Sequence, residues 1–309
     1  MPAEDVVPRS GVRRGVPLPV RWAFGGLAVA ALVVAVVRQR HEIAAAVTQL
    51  DPAPLAVATA LVVAGLVANM LSWRATLAGF GSPLPMGPAA RVYLLAQLGK
   101  YLPGSIWPVL VQAELGRDHG VPRSRSALAA LAAFVIGIDV GVVLTAVTLA
   151  LSAADTLRAY WWLLLAVPLG SAVLAPPVLN RLLGIGLRLA RRPGNPERLA
   201  PAALAPAAWW SLVTWLCFGT STWLIARGIA PGADRLWLLA VGGYTVAWIA
   251  GFLFVLAPAG AGAREAALVL VLATAMPHSD AFAVAVVSRV LMLAGDLVAA
   301  GIALAARRR

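Results

Sequence analysis

The stretch Leu98-Gly-Lys-Tyr-Leu-Pro-Gly-Ser-Ile-Trp107 interrupts an apolar segment, 89–116, with a proline and a glycine. Proline has no backbone N–H and its ring clashes with the preceding turn, so a helix cannot run straight through Pro103. Each remaining arm has about 13 residues and a helical length of about 20 Å, which is less than the roughly 30 Å of hydrocarbon in a bilayer. The segment therefore predicts a re-entrant hairpin whose tip is buried in protein or lines a wet cavity.

A second stretch, Phe254-Val-Leu-Ala-Pro-Ala-Gly-Ala-Gly-Ala-Arg-Glu265, repeats this pattern half a chain later, within an interrupted unit at 235–276. Paired interrupted segments in the two halves of a membrane protein indicate inverted repeats with a transport site between them. The sequence predicts repeat one at about 53–152 and repeat two at about 206–305, and leaves open whether the second unit is re-entrant or crosses fully. Three pairs of residues recur at nearly the same interval, namely Pro103 and Pro258, Glu114 and Glu265, and Asp139 and Asp296.

The composition is that of a membrane protein. Apolar residues make up 61% of the chain and charged residues 12%, whereas soluble proteins carry roughly a quarter charged residues. The net charge of +12 does not indicate nucleic-acid binding, because no soluble basic domain carries it. The single cysteine, Cys217, excludes a disulfide framework. The three histidines are far apart in loops, so neither a metal centre nor a cofactor is expected.

The chain is expected to form an all-α polytopic domain, 21–305, between a disordered basic tail, 1–20, and a basic end, 306–309. Long apolar runs predict about six full spans in addition to the two hairpins. A basic loop at 180–205 is interpreted as a short amphipathic surface helix. The full spans are expected at about 22–37, 53–73, 126–152, 160–179, 206–229 and 281–305.

The distribution of basic residues predicts the orientation. If the N-terminus is cytoplasmic and both interrupted units return to their own side, most of the 25 Lys and Arg residues lie in cytoplasmic segments. The positive-inside rule describes this bias, so both termini are expected in the cytoplasm. The protein itself is expected in the plasma membrane. Five basic residues then lie in loops on the opposite side, namely Arg38, Arg40, Arg158, Arg227 and Arg235.

Charged residues inside the predicted spans mark the candidate site, since such groups are costly in a membrane and usually line a path for ions or substrates. Arg289 precedes Asp296 by seven residues, so both project from one helical face. The alternatives are a structural clamp between repeats, or, for Lys100 and Glu114, a position at the membrane interface. Six charges are expected around one polar cavity, namely Lys100, Arg264, Glu265, Arg289, Asp139 and Asp296. The full set of candidate translocation residues adds Tyr101, Pro103, Gly104, Glu114, Pro258 and Gly260.

This arrangement favours an anionic ligand. Helices that begin just after Gly104 and Gly260 would direct unpaired N–H groups and positive dipole ends into the protein, where they suit a phosphate or a carboxylate. Three basic side chains supply full positive charge to the same region. Phosphate lipids are the abundant anions of a membrane.

The first stretch, together with Gly120-Val-Pro122 and the run Pro258-Ala-Gly-Ala-Gly-Ala-Arg-Glu265, resembles the lysylphosphatidylglycerol synthase transmembrane family, also called flippase-like integral membrane proteins. The resemblance covers about 20–305 and implies the lipid-flipping half of a two-part protein. The aminoacyl-transferase domain of the best-known relatives is not expected here, so no enzymatic activity is expected. Ala259 and Ala261 depart from the usual Pro-Gly-Gly-Leu-Gly run and reduce backbone freedom near the break.

The sequence therefore predicts a flippase for an anionic phospholipid or a polyprenyl-phosphate-linked lipid. One alternative is an ion- or proton-coupled transporter of a small anion. The other is an assembly partner of a membrane glycosyltransferase, in which the buried charges are structural. A homo-oligomer or a lipid-modifying enzyme partner is compatible with each of these functions.

Overall fold

The computed structural model describes residues 51–101, 106–152, 165–189, 198–253, 260 and 262–305, and within these ranges the regular structure is helical, without a strand. The predicted all-α class is confirmed. Two 3-10 helices cover Leu98–Tyr101 and Pro201–Ala203. The α-helices are α1 Pro52–Gly79, α2 Met86–Gln97, α3 Trp107–Arg117, α4 Arg123–Ser152, α5 Ala166–Val173, α6 Pro176–Leu189, α7 Leu204–Ile229, α8 Leu236–Leu253, α9 Ala263–Leu272 and α10 His278–Ala305.

In the described part of the chain, 5 helical segments are long and apolar enough to cross a membrane: α1, α4, Pro201–Ile229, α8 and α10. The span expected at 22–37 and both terminal tails lie outside the described residues, as does the beginning of the span expected at 160–179. The expected end of that span at 179 is wrong. Helix α5 ends at Val173 and α6 begins at Pro176, because proline suits the first turn of a helix and not its interior.

Helices α1 and α7 form an antiparallel pair at the centre of the structure. Ser221 Oγ donates to the carbonyl of Ala58 at 2.9 Å, and Ser72 Oγ donates to the carbonyl of Ala207 at 2.9 Å. The earlier residue on α1, Ala58, contacts the later residue on α7, Ser221, and the later residue on α1, Ser72, contacts the earlier residue on α7, Ala207. The two helices therefore run in opposite directions. Small residues allow this close approach, and interhelical hydrogen bonds add to it, as is usual between helices in a membrane.

The first hairpin begins and ends at the same end of the helical bundle. The end of α1 lies beside the beginning of α4, where Arg125 Nη1 donates to Ser82 Oγ at 3.2 Å and Thr76 Oγ1 donates to the carbonyl of Ala129 at 2.9 Å. Helices α2 and α3 connect these two points. A Cβ on Gly99 would lie 3.1 Å from the backbone nitrogen of Pro108, so the two arms are in close contact near their break.

The second hairpin consists of α8 and α9 and begins at the opposite end of the bundle. Arg235 Nη1 donates to the carbonyl of Ser152 at 2.8 Å, which places the start of α8 at the far end of α4. A Cβ on Gly243 would lie 3.0 Å from Val271 Cγ1, and one on Gly251 would lie 3.0 Å from Arg264 Cβ. Helices α8 and α9 are therefore antiparallel, and this unit returns to the end of the bundle at which it starts.

Helix contacts in the two halves correspond to each other. Helix α4 packs against α1, α3, α7 and α8, and α10 packs against α7, α9, α1 and α2, which occupy the same places in the other half. An inverted repeat requires these matched contacts and the antiparallel α1–α7 pair. The inverted repeat itself stays a prediction.

Candidate functional site

Asp296 on α10 joins the first hairpin to the rest of the protein. This residue is 1% exposed, and its Oδ2 atom lies 2.6 Å from Lys100 Nζ and accepts a 2.6 Å hydrogen bond from the Tyr101 hydroxyl. Its Oδ1 atom is buried and has no hydrogen-bond partner within the described ranges. Both donors therefore converge on one oxygen of the carboxylate.

The sequence around the first break explains how the donors reach this depth. Helix α2 continues into the 3-10 helix Leu98–Tyr101, and tighter turns of this kind are common where an α-helix ends. Lys100 and Tyr101 lie at the end of the arm, just before Pro103 prevents further helix. The hairpin thus brings a cation and a phenol to the carboxylate of a distant helix.

Arg264 lies in the first turn of α9 and is held by an aromatic residue. Its guanidinium donates a short hydrogen bond to the Tyr244 hydroxyl, and its Cζ lies 4.8 Å from the centre of the Tyr244 ring. A guanidinium over an aromatic face is attracted by the ring quadrupole. No ion pair joins Arg264 to a carboxylate in the part of the chain that the structure describes.

The tip of the second hairpin depends on close contact between two glycines. Gly260 has a φ of 68°, and a Cβ at this position would lie 2.6 Å from the carbonyl carbon of Gly251. The left-handed region and the lack of space both favour glycine here. This contact holds the beginning of α9, and with it Arg264, against α8.

Glu265 and Arg289 join the second hairpin to α10. The Glu265 Oε1 atom forms an ion pair with Arg289, and its Oε2 atom accepts a 2.6 Å hydrogen bond from the backbone N–H of Gly262. The carboxylate therefore caps α9 and neutralises a cation on α10 at once. Because Arg289 and Asp296 share one face of α10, this helix contacts both hairpins.

These groups form one network. Tyr101 lies within electrostatic range of Asp296, Arg264 and Arg289, and Tyr244 within range of Arg264 and Asp296. Among the described residues, three basic side chains and two carboxylates belong to it, so the network has a surplus of one positive charge. The Lys100 side chain is 26% exposed, which leaves part of the network accessible.

Two candidate residues do not join this network. Glu114 lies near the end of α3 and accepts hydrogen bonds from Arg117 at 3.1 Å and from Arg123, beside the start of α4. Asp139 is buried on α4, its Oδ2 atom has no hydrogen-bond partner within the described segments, and no ion pair or hydrogen bond connects it there to the network. Pro103, Gly104 and Pro258 lie outside the described residues.

The sequence did not indicate Tyr244 or Gly251. Tyr244 lies 20 residues before Arg264 in an apolar run, and its hydroxyl is the one signal that sets it apart from its neighbours. The role of Gly251 follows from its close contact with Gly260, which only the structure shows. No group of three or more potential metal ligands occurs in the described part of the chain.

In a comparison with protein families, the family model described as the lysylphosphatidylglycerol synthase TM region aligns with residues 23–300. No significant match among curated proteins is found.

Proposed function

The chain belongs to the family of the lysylphosphatidylglycerol synthase TM region, and from this premise we propose that it binds a membrane lipid by an anionic head group and moves that lipid across the bilayer. Family membership supports a lipid-related role in the membrane. The lipid is an anionic phospholipid or a polyprenyl-phosphate-linked lipid, and the protein lies in the plasma membrane with both termini in the cytoplasm.

The surplus positive charge on Arg264 is the observation that carries this proposal. Within the described residues Lys100 and Arg289 each have a carboxylate, whereas Arg264 has the neutral hydroxyl and ring of Tyr244. A charged group at the centre of a bilayer costs about 3 kcal/mol on insertion scales. An anion bound to Arg264 would offset that cost, and a lipid phosphate is the anion that reaches this depth with its acyl chains still in the membrane.

The geometry of a guanidinium suits this ligand. Arginine presents a planar group of N–H donors that pairs with two phosphate oxygens at once. Glu265 directly follows Arg264 in the sequence and forms an ion pair with Arg289. A phosphate bound to Arg264 would therefore lie close enough to compete with the Glu265 carboxylate for Arg289. In the proposed mechanism the head group displaces this carboxylate while the acyl chains remain beside the protein.

The test is lipid movement in reconstituted vesicles with a fluorescent anionic lipid in one leaflet. Arg264→Ala and Arg289→Ala should abolish movement while the folded protein remains extractable. Arg235→Ala is the matched control, because it removes an arginine that donates to the backbone of Ser152 at the membrane surface. Normal rates in both Arg264→Ala and Arg289→Ala would mean that these charges are structural.

Two further measurements separate the alternatives. Proton-dependent uptake of a soluble anion, lost in Arg264→Ala, would support the transporter of a small anion. A stable complex with a membrane glycosyltransferase that keeps its function without Arg264 and Arg289 would support the assembly partner.

A further inference from the structure

The network around α10 contains more basic than acidic side chains. Each of its two carboxylates faces a cation, since Asp296 lies 2.6 Å from Lys100 and Glu265 forms an ion pair with Arg289. Arg264 supplies the third positive charge and contacts a neutral phenol. The two pairs cancel, so the described residues of the network carry one positive charge in excess.

The stretches beside the hairpin tips add no charge to this count. Residues 102–105 and 254–259 contain no acidic or basic side chain, and neither does the span expected at 22–37. In the described segments no ion pair or hydrogen bond connects Asp139 to the network. The excess of one charge is therefore a property of the whole site.

This excess matches a ligand with a single negative charge. A phosphodiester carries one, because each ester bond removes an acidic oxygen, whereas a phosphomonoester carries about two at mildly alkaline pH. A zwitterionic head group has no net charge. Uncompensated charge at membrane depth is costly. A diester leaves the occupied site neutral, a monoester leaves it negative, and a zwitterion leaves it positive.

We propose that the net charge of this network selects phosphodiester lipids whose second substituent is uncharged, such as a glycerol or a sugar. This inference rests on the proposed function and narrows its ligand. The count does not depend on which cation the phosphate contacts, since displacement of Glu265 from Arg289 moves a charge within the network without removing it. Glycerophospholipids and polyprenyl phosphate sugars both contain such a diester, whereas phosphatidic acid and polyprenyl phosphate do not.

The first experiment measures binding of two matched lipid pairs to the full chain in a non-ionic detergent at mildly alkaline pH. One pair is dioctanoyl phosphatidylglycerol and dioctanoyl phosphatidic acid, and the other is a short-chain prenyl phosphate glucose ester and the same prenyl phosphate. In at least one pair the diester should bind about tenfold more tightly than its monoester, the value of one charge-assisted hydrogen bond. The pair that shows this preference identifies the source of the lipid. Equal or tighter binding of the monoester in both pairs would overturn the proposal.

Variants that change the net charge should change the preference in a stated direction. Glu265→Gln raises the excess by one, so the monoester should bind at least as tightly as its diester. Glu114→Gln is the matched control, because it removes the same charge from a residue that pairs with surface arginines outside the network, and it should leave the ratio unaltered. Asp296→Asn changes the excess as Glu265→Gln does, and it decides if Glu265→Gln does not fold. An unchanged ratio in the folded variant would overturn the proposal.

A double variant separates net charge from individual contacts. Lys100→Gln alone abolishes the excess and should lose the preference for the diester over dioctanoyl phosphatidylcholine. Lys100→Gln combined with Asp296→Asn removes one charge of each sign, so this preference should return. A double variant that behaves like Lys100→Gln alone would overturn the proposal. Diester binding that Arg264→Ala leaves unchanged, or no binding of any lipid, would instead contradict the proposed function.

Discussion

Replacement of Gly260 by alanine should destabilise the second hairpin through two separate effects. At a φ of 68° an alanine is in the left-handed region, which costs about 1–2 kcal/mol. The added Cβ would also lie 2.6 Å from the carbonyl carbon of Gly251, so the backbone segments must separate, and overpacking of this kind costs about 1–3 kcal/mol. The expected loss of stability is therefore about 2–5 kcal/mol.

Two other glycines provide matched controls. Gly262 has a φ of 87° with no atom within 4 Å of its added Cβ, so Gly262→Ala should show the conformational cost alone, about 1–2 kcal/mol. Gly87 lies in α2, has the same open space and has no positive φ. Gly87→Ala should leave stability unchanged or raise it by up to about 1 kcal/mol, because alanine favours a helix.

The chain is suited to a thiol-dye unfolding assay in detergent, because its one cysteine, Cys217, is half-buried on α7. One kcal/mol corresponds to about 2–4 °C in Tm for a chain of this size, so Gly260→Ala should lower Tm by about 4–20 °C, and by more than Gly262→Ala. Equal Tm losses in these two variants would show that Gly251 and Gly260 are not in close contact. Gly260→Ala should also weaken lipid binding, since the same contact positions Arg264.

Three further predictions concern other parts of the protein. Ser72→Ala removes the hydrogen bond to the Ala207 carbonyl between α1 and α7 and should cost about 1 kcal/mol in the same assay; an unchanged Tm would contradict the antiparallel pair. Glu114→Gln breaks contacts with two surface arginines and should leave the rate of lipid movement unaltered, so a large loss would place Glu114 in the path. In a Cys217→Ser background, cysteines at Arg198 and Arg235 should be labelled from opposite sides of the membrane, and labelling from one side would refute the orientation of α4 and α7.

The helices and their interruptions could be predicted from the sequence because they depend on local properties. The helices before Pro103 and Pro258 could be predicted from their apolar residues, and the ends of these helices from the prolines themselves. Hydropathy and the missing proline N–H are properties of the local sequence and do not depend on distant residues. The shared face of Arg289 and Asp296 is equally local, because it follows from the helical period. The one clear error in a boundary, at Pro176, comes from an apolar run that continues across a break in the helix.

The choice of partners could not be predicted in this way. Lys100 and Arg264 look alike in the sequence, as basic residues beside a break, yet one pairs with Asp296 and the other lies on Tyr244. Glu114 and Glu265 hold matching positions, and one faces surface arginines while the other pairs with Arg289. These differences arise because α10 contacts both hairpins. It thereby brings together residues as far apart as Tyr101 and Asp296, which are separated by 195 positions. Local chemistry therefore determines where a helix begins and breaks, and the packing of distant helices determines which charge is neutralised and which is available to a ligand.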